Sequence, residues 1–133
     1  MPFLLPSDTP RSPLTRFAPA PTGYLHLGHA ASAIWVWGVA RALGGRVLLR
    51  IEDHDRGRSR PEYEHALLED LEWLGLESDL GLPSEFRGGP TAHRQSDRAP
   101  AYERELARLT TAGLVFACDC SRRRLRESGG DVA

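Results

Sequence analysis

The sequence contains no lysine: all seventeen basic residues are arginine, set against eighteen acidic ones for a formal net charge of −1. Any motif built on a lysine ammonium is therefore excluded. Cysteine is almost as scarce. Two thiols, Cys118 and Cys120, are too few for a disulfide framework and fit a reducing, cytoplasmic setting. No apolar run approaches the roughly 18 residues that span a bilayer, so no membrane partner is expected. The first thirteen residues hold four prolines (Pro2, Pro6, Pro10, Pro13) and no long apolar stretch, and read as a flexible leader and not a secretion signal. Repeats and low-complexity tracts are also lacking. What is left is 133 residues, enough for one buried core.

The most informative segment runs from Arg16 to His29: Arg16-Phe17-Ala18-Pro19-Ala20-Pro21-Thr22-Gly23-Tyr24-Leu25-His26-Leu27-Gly28-His29. An apolar run is stopped by two prolines, turned at Thr22-Gly23, and followed by H-L-G-H at the head of a long helical pattern. Strand, tight loop and helix N-terminus in that order make an anion site, because first-turn amides lack intrahelical partners and the helix dipole favours negative charge there. His26 and His29, three apart, can face one ligand. Gly28 between them removes a side chain that would hold a base or phosphate away from the backbone.

A coarse reading places this motif in an α/β fold. Leu14–Ala18 reads as a strand. Leu27–Leu43 reads as a helix with Leu27, Ala30, Ala31, Ile34, Trp35, Val39 and Leu43 at helical spacing, ended by Gly44-Gly45. Arg46–Ile51 reads as a second strand. This βαβ order implies parallel strands with a right-handed crossover, and ligands bind beyond the carboxyl ends of such strands. Both H-L-G-H and Glu52-Asp53-His54-Asp55 fall there. Pro61–Leu74 is expected to be helical with Leu67, Leu68, Leu71 and Leu74 buried, Leu76–Thr91 a long loop, and Ala99–Thr111 a helix ended by Gly113. Leu114–Cys118 reads as a strand, and Ser121 as the cap of a short last helix. Trp35 and Trp37, two apart on one helix, cannot both face one core.

Charge is uneven. Pro61 to Glu85 carries eight acids and no arginine, whereas Phe86 to Arg126 carries nine arginines against four acids, ending in Arg122-Arg123-Arg124. The basic stretch suits RNA phosphates or a solvated helix face equally well.

Three ordered blocks carry a family resemblance. The Arg16–His29 string resembles the R-F-A-P-S-P-T-G…H-I-G-H segment of class I aminoacyl-tRNA synthetases of the glutamyl group. Arg50-Ile51-Glu52-Asp53-His54-Asp55-Arg56 is similar to that group's R-I-E-D-T-D-R, and Arg94-Gln95-Ser96-Asp97-Arg98-Ala99-Pro100-Ala101-Tyr102 to its R-Q-S-E-R-x-x-x-Y. The resemblance covers Thr15 to Arg126. It implies the N-terminal half of a Rossmann-like nucleotide-binding catalytic domain over residues 14–113, with the start of a zinc-type insertion over 114–133. It also implies a ligase that activates glutamate with ATP and Mg and transfers it to tRNA, working in the cytoplasm as a monomer when full length.

The implied roles follow from what that chemistry needs: two anions held in line and growing phosphate charge neutralised. His26 and His29 are the catalytic candidates, joined at ATP by Pro19, Thr22, Gly23 and Gly28. The glutamate site comprises Arg16 for the side-chain carboxylate, Glu52 for the α-ammonium, and Phe17, Ala18, Pro19 and Ala20 around them, with Asp53 and Asp55 in support. Ala20 departs from the family's serine and forfeits its hydroxyl. Cys118-Asp119-Cys120 offers one metal ion two ligands on a common face, or else two buried thiols. With Ser121-Arg122-Arg123-Arg124-Leu125 and Gly129-Gly130, it is most similar to the shortened glutamyl-Q tRNA(Asp) synthetases, which charge a queuosine in the anticodon loop and complete zinc with later residues. The full discriminating glutamyl-tRNA synthetases come next, and a non-catalytic nucleotide- or tRNA-binding remnant is the reading from another class. The family's second ATP motif, K-M-S-K-S, cannot be present without lysine, so the 133-residue chain alone is expected to be inactive.

Overall fold

The computed structural model describes residues 12–127. These fall into two compact units dividing after Ala99. In the first, β1 (Leu14–Phe17) and β2 (Arg46–Leu49) pair in parallel, Leu14 opposite Arg46 and Phe17 opposite Leu49. The 16-residue helix α1 (Leu27–Ala42) makes the crossover between them. The expected βαβ unit is present. Single parallel bridges, Leu48 to Leu80 and Ile51 to Arg94, extend the sheet on the far side of β2.

The buried face of α1 differs from the one expected. Ala33, Trp37 and Ala40 are buried, whereas Leu27, Ile34 and Trp35 are mostly exposed. Because α1 is apolar on several sides, periodicity does not select a face. Two alanines let the backbone approach the sheet closely, and Trp37 fills the remaining space. Its ring meets Phe17 edge-on at 5.5 Å, and its Nε1 donates to the Glu77 carbonyl at 2.7 Å, which satisfies the polar atom of a buried indole. Trp35 and Trp37 thus do part company, as their spacing requires.

Helix α2 (Pro61–Trp73) starts with proline at its first turn and buries Leu67, Leu68 and Leu71. Leu74, expected to be buried, caps the helix and is 39 % exposed. The stretch 76–91 is not all loop: it contains a short helix, α3 (Pro83–Gly88). Pro83 presets the first turn, the Glu85 carboxylate accepts from the Leu82 amide at 3.1 Å, and Phe86 anchors the turn in the core.

Asp79 joins this stretch to the sheet. Its Oδ2 accepts from the Val47 amide at 2.7 Å and from Arg41 at 2.9 Å. The Val47 amide, against the opposing effect of burial and with help from Arg41, holds the Asp79 carboxyl below its ordinary range. A carboxyl depressed on folding stabilises the protein above its unfolded pKa, and that stability is lost as pH falls through the folded value. Asp79→Asn should therefore cost about 1 kcal/mol at pH 7 after solvent screening, and less as the pH falls below the ordinary carboxylate range toward the lowered folded value. Urea unfolding at pH 7 and at progressively lower pH checks this; a loss that does not shrink with falling pH would remove the carboxylate from the account.

The second unit holds α4 (Ala99–Thr111), with the expected bounds, and α5 (Arg122–Glu127). Gly113 ends α4 in a left-handed conformation, and the Leu114 amide returns to the Leu109 carbonyl at 3.0 Å. Ser121 caps α5, its Oγ accepting from the Arg124 amide at 3.2 Å. The strand expected at Leu114–Cys118 does not form. Strands need a partner for their amides and carbonyls, and among the described residues none lies beside this segment. Most of the proposed leader, and Gly129-Gly130, lie outside the described residues. No helix among the described residues is long and apolar enough to cross a membrane.

Candidate functional site

Past the strand ends, the two chains stay paired for two more rungs. The Arg50 amide donates to the Phe17 carbonyl and the Glu52 amide to the Pro19 carbonyl, both at 3.0 Å. Proline has no N–H, so Pro19 and Pro21 take part only as acceptors; the Pro21 carbonyl receives the Arg60 amide at 3.0 Å. The Thr22 amide turns back to the Ala20 carbonyl at 2.8 Å. These bonds bring the first block against the second, at the carboxyl ends of the parallel strands.

Within the first block the side chains divide by role. The Phe17 ring belongs to the core, so only its backbone can meet a ligand. Ala18 is half-buried, and Ala20 is exposed without a hydrogen-bonding group. Arg16 points to the opposite face of β1 from Phe17, is exposed, and forms no ion pair among the described residues. Nothing lies within 4 Å of where a side chain on Gly23 would sit, so the loop is open there. Tyr24 packs edge-on against Tyr63 of α2 with ring centroids 4.9 Å apart.

His26 and His29 form a reciprocal cap at the start of α1. The Gly28 amide donates to His26 Nδ1 at 3.1 Å, and the His26 amide donates to His29 Nδ1 at 3.3 Å. The rings lie 4.0 Å apart, tilted by 40°. The Gly28 amide is therefore occupied, and the first turn offers fewer open amides than the bare motif suggests. Gly28 also serves a second purpose. A Cβ there would come within 2.9 Å of His26 Cε1, so any side chain would push the ring off its cap.

In the second block, Glu52 Oε1 lies 3.6 Å from Arg50 Nε, with both side chains largely buried. Arg50 was not singled out from sequence, although it opens the R-I-E-D block. Asp53 faces the third block: Oδ1 accepts from the Ser96 amide at 2.8 Å and Oδ2 from the Ser96 hydroxyl at 2.5 Å. Asp55 closes its own turn onto Arg58 at 2.7 Å, a hydrogen bond that keeps its carboxyl below the usual range. Both aspartates therefore support the loop and are already engaged. His54 is exposed.

The third block holds what sequence reasoning missed. The Arg94 guanidinium reaches Glu64 Oε1 at 2.5 Å, the Phe86 carbonyl at 2.8 Å, and the Gly89 carbonyl and Asp97 Oδ2 at 3.0 Å. The Ile51 amide donates to the His93 carbonyl at 3.1 Å, and the Gln95 amide to the Ile51 carbonyl at 2.9 Å. Arg94 thus fixes the segment that brackets the residue before Glu52. A cleft of about 520 Å³ adjoins it, lined by Pro21, Asp53, Arg56, Arg60, Glu64 and Arg94. Neither His26, which is exposed, nor His29, which is half-buried, lines that cleft.

Cys118 is exposed and Cys120 partly so, which removes the reading of two buried thiols. Hydrogen bonding with Cys118, then the charge of that neighbour, raises the Cys120 thiol. Two thiols are half of a structural zinc set, and no three metal-binding side chains come together among the described residues. The donors present here do not fit zinc by themselves.

Comparison with known proteins agrees with these blocks. The family model for class I tRNA synthetases (E and Q), catalytic domain, matches residues 14–132. A glutamyl-Q tRNA(Asp) synthetase of Rhodobacter capsulatus is 53 % identical over 115 residues, which are 86 % of this chain and 38 % of that protein. A glutamate–tRNA ligase 2 of Acidithiobacillus ferrooxidans is 49 % identical over 107 residues, 80 % of this chain and 22 % of the other. Among solved structures, a glutamate tRNA ligase from Elizabethkingia meningosepticum superposes with a TM-score of 0.65 at 34 % identity, over 86 % of this chain and 22 % of its own. The chain thus spans between about a fifth and two fifths of these relatives' lengths. With a parallel βαβ unit, its three blocks gathered at the carboxyl end, and a family match over nearly all its length, the chain belongs to the class I tRNA synthetases of the E and Q group and carries an N-terminal part of their catalytic domain.

Proposed function

We propose that this segment supplies the first half of the site at which a glutamyl-Q tRNA(Asp) synthetase, or a glutamyl-tRNA synthetase, joins glutamate to the α-phosphate of ATP before transfer to tRNA. The observation that supports the reading is the H-L-G-H cap, in which two imidazoles stand at the N-terminus of α1. ATP with its Mg would lie along His26, Gly28 and His29, with Pro19, Thr22 and Gly23 beside it. Glutamate would lie between Arg16 and Glu52, the latter's charge shared with Arg50. The glutamyl-Q branch is favoured by Cys118-Asp119-Cys120 with the arginines that follow, residues 114–133 then beginning a zinc-type insertion that later chain completes. A cytoplasmic, monomeric full-length enzyme accompanies this reading. The 133 residues, which hold no lysine for the family's second ATP motif, should not by themselves exchange pyrophosphate with ATP at a useful rate.

The test of the reaction is glutamate-dependent ATP–pyrophosphate exchange by a full-length synthetase carrying these residues. Transfer to tRNA(Asp) bearing queuosine, against transfer to tRNA(Glu), separates the two branches. In that enzyme His29→Ala should lower kcat by roughly 10²-fold with little change in the KM for glutamate, since the imidazole meets charge that grows only in the transition state. An unchanged kcat with a raised KM for glutamate would move His29 to the amino acid.

A further inference from the structure

We infer that the reciprocal cap selects one tautomer in both neutral imidazoles, His26 and His29, with the proton on Nε2, so that the H-L-G-H motif presents two Nε2–H donors. A backbone amide can only donate. The ring nitrogen that receives it must carry a lone pair, and in both rings that nitrogen is Nδ1: Gly28 N–H to His26 at 3.1 Å, His26 N–H to His29 at 3.3 Å. The single proton of each neutral ring then sits on Nε2.

Gly28 is the device that holds this state. Its amide makes the bond to His26, and its missing side chain leaves room for the ring, since a Cβ would lie 3.1 Å from Nδ1 and 2.9 Å from Cε1. The consequence for the phosphates rests on the nucleotide reading given above: the donors offered would be Nε2–H groups, with the Gly28 amide acting through the ring it orients.

The experiment is long-range ¹H–¹⁵N correlation on the ¹⁵N-labelled 133-residue chain, without ligand, at about pH 8, above the ordinary histidine range. Exposed His54 is the internal reference for a ring free to exchange tautomers; His26→Gln and His29→Gln assign the two signals. Both rings should show a wholly unprotonated Nδ1 and a protonated Nε2, and a coupling across the hydrogen bond should link Gly28 N to His26 Nδ1. Gly28→Ala should return His26 to the averaged pattern of His54. If that variant does not fold, the wild-type comparison with His54 decides alone. An Nδ1–H form in either ring, or averaging in the wild type like that of His54, overturns the inference. Addition of ATP with Mg should then move the Nε2 signals and leave Nδ1 nearly still. Fixed tautomers that ignore ATP would keep the inference and overturn the nucleotide reading instead.

Discussion

Replacing Arg94 by alanine should destabilise the chain by about 3–5 kcal/mol, the largest single loss expected in it. The side chain is 14 % exposed, and its partners Glu64 and Asp97 are 19 % and 22 % exposed. Removing the cation leaves two largely buried carboxylates without their hydrogen-bonded guanidinium, and strips the Phe86 and Gly89 carbonyls of their donor. Burial works against the Asp97 charge, yet the Thr91 amide and Arg94 together hold its carboxyl below the ordinary range. Arg94→Lys should recover only part of the loss, because one ammonium cannot reproduce the planar fork that serves α2, α3 and the 97 turn together. A domain of ordinary stability, about 5–15 kcal/mol, would be brought close to its threshold. Urea unfolding of the three proteins measures the effect. A loss below about 1 kcal/mol for Arg94→Ala would show that the network is surface decoration.

The next largest effect concerns Arg16. It is an exposed guanidinium at a strand end with no ion pair among the described residues, which suits it to a carboxylate brought by a ligand. In a full-length synthetase carrying this segment, Arg16→Ala should cost about 2–5 kcal/mol in kcat/KM for glutamate, the range for breaking a desolvated charge pair. It should narrow the gap to glutamine, whose amide never supplied the counter-charge. Exchange rates with both amino acids decide between roles. Equal losses for the two would make Arg16 a support of the fold or of ATP, and would withdraw it from the substrate.

The parallel βαβ unit, the bounds of α4 and the Ser121 cap were legible in the sequence because each depends on residues close together in the chain. Pro19 and Pro21 stop a strand, Gly44 and Gly113 end helices, and H-L-G-H opens one. What the sequence hid depends on distant partners. The buried face of α1 is chosen by the Phe17–Trp37 contact and the Glu77 carbonyl, neither of which has a local signal. Leu114–Cys118 has strand composition, but a strand is a relation between two segments. Arg94 and Asp53 were visible as motif letters; that one staples α2 to α3 and the other clamps Ser96 follows only from the folded path. Gly28 was legible as a glycine that mattered, and the structure adds that the nearest thing it makes room for is the His26 ring.

The account's central claim is that the strand ends and the head of α1 form a nucleotide site. An amide-resolved titration of the ¹⁵N-labelled chain with ATP and Mg tests it most directly. The account predicts saturable shifts at Thr22, Gly23, Gly28, His29 and Ala30, with those of α5 unmoved. Silence at these amides at about 10 mM ATP, where even a millimolar site would be mostly filled, or shifts confined to Arg122–Glu127, would contradict it.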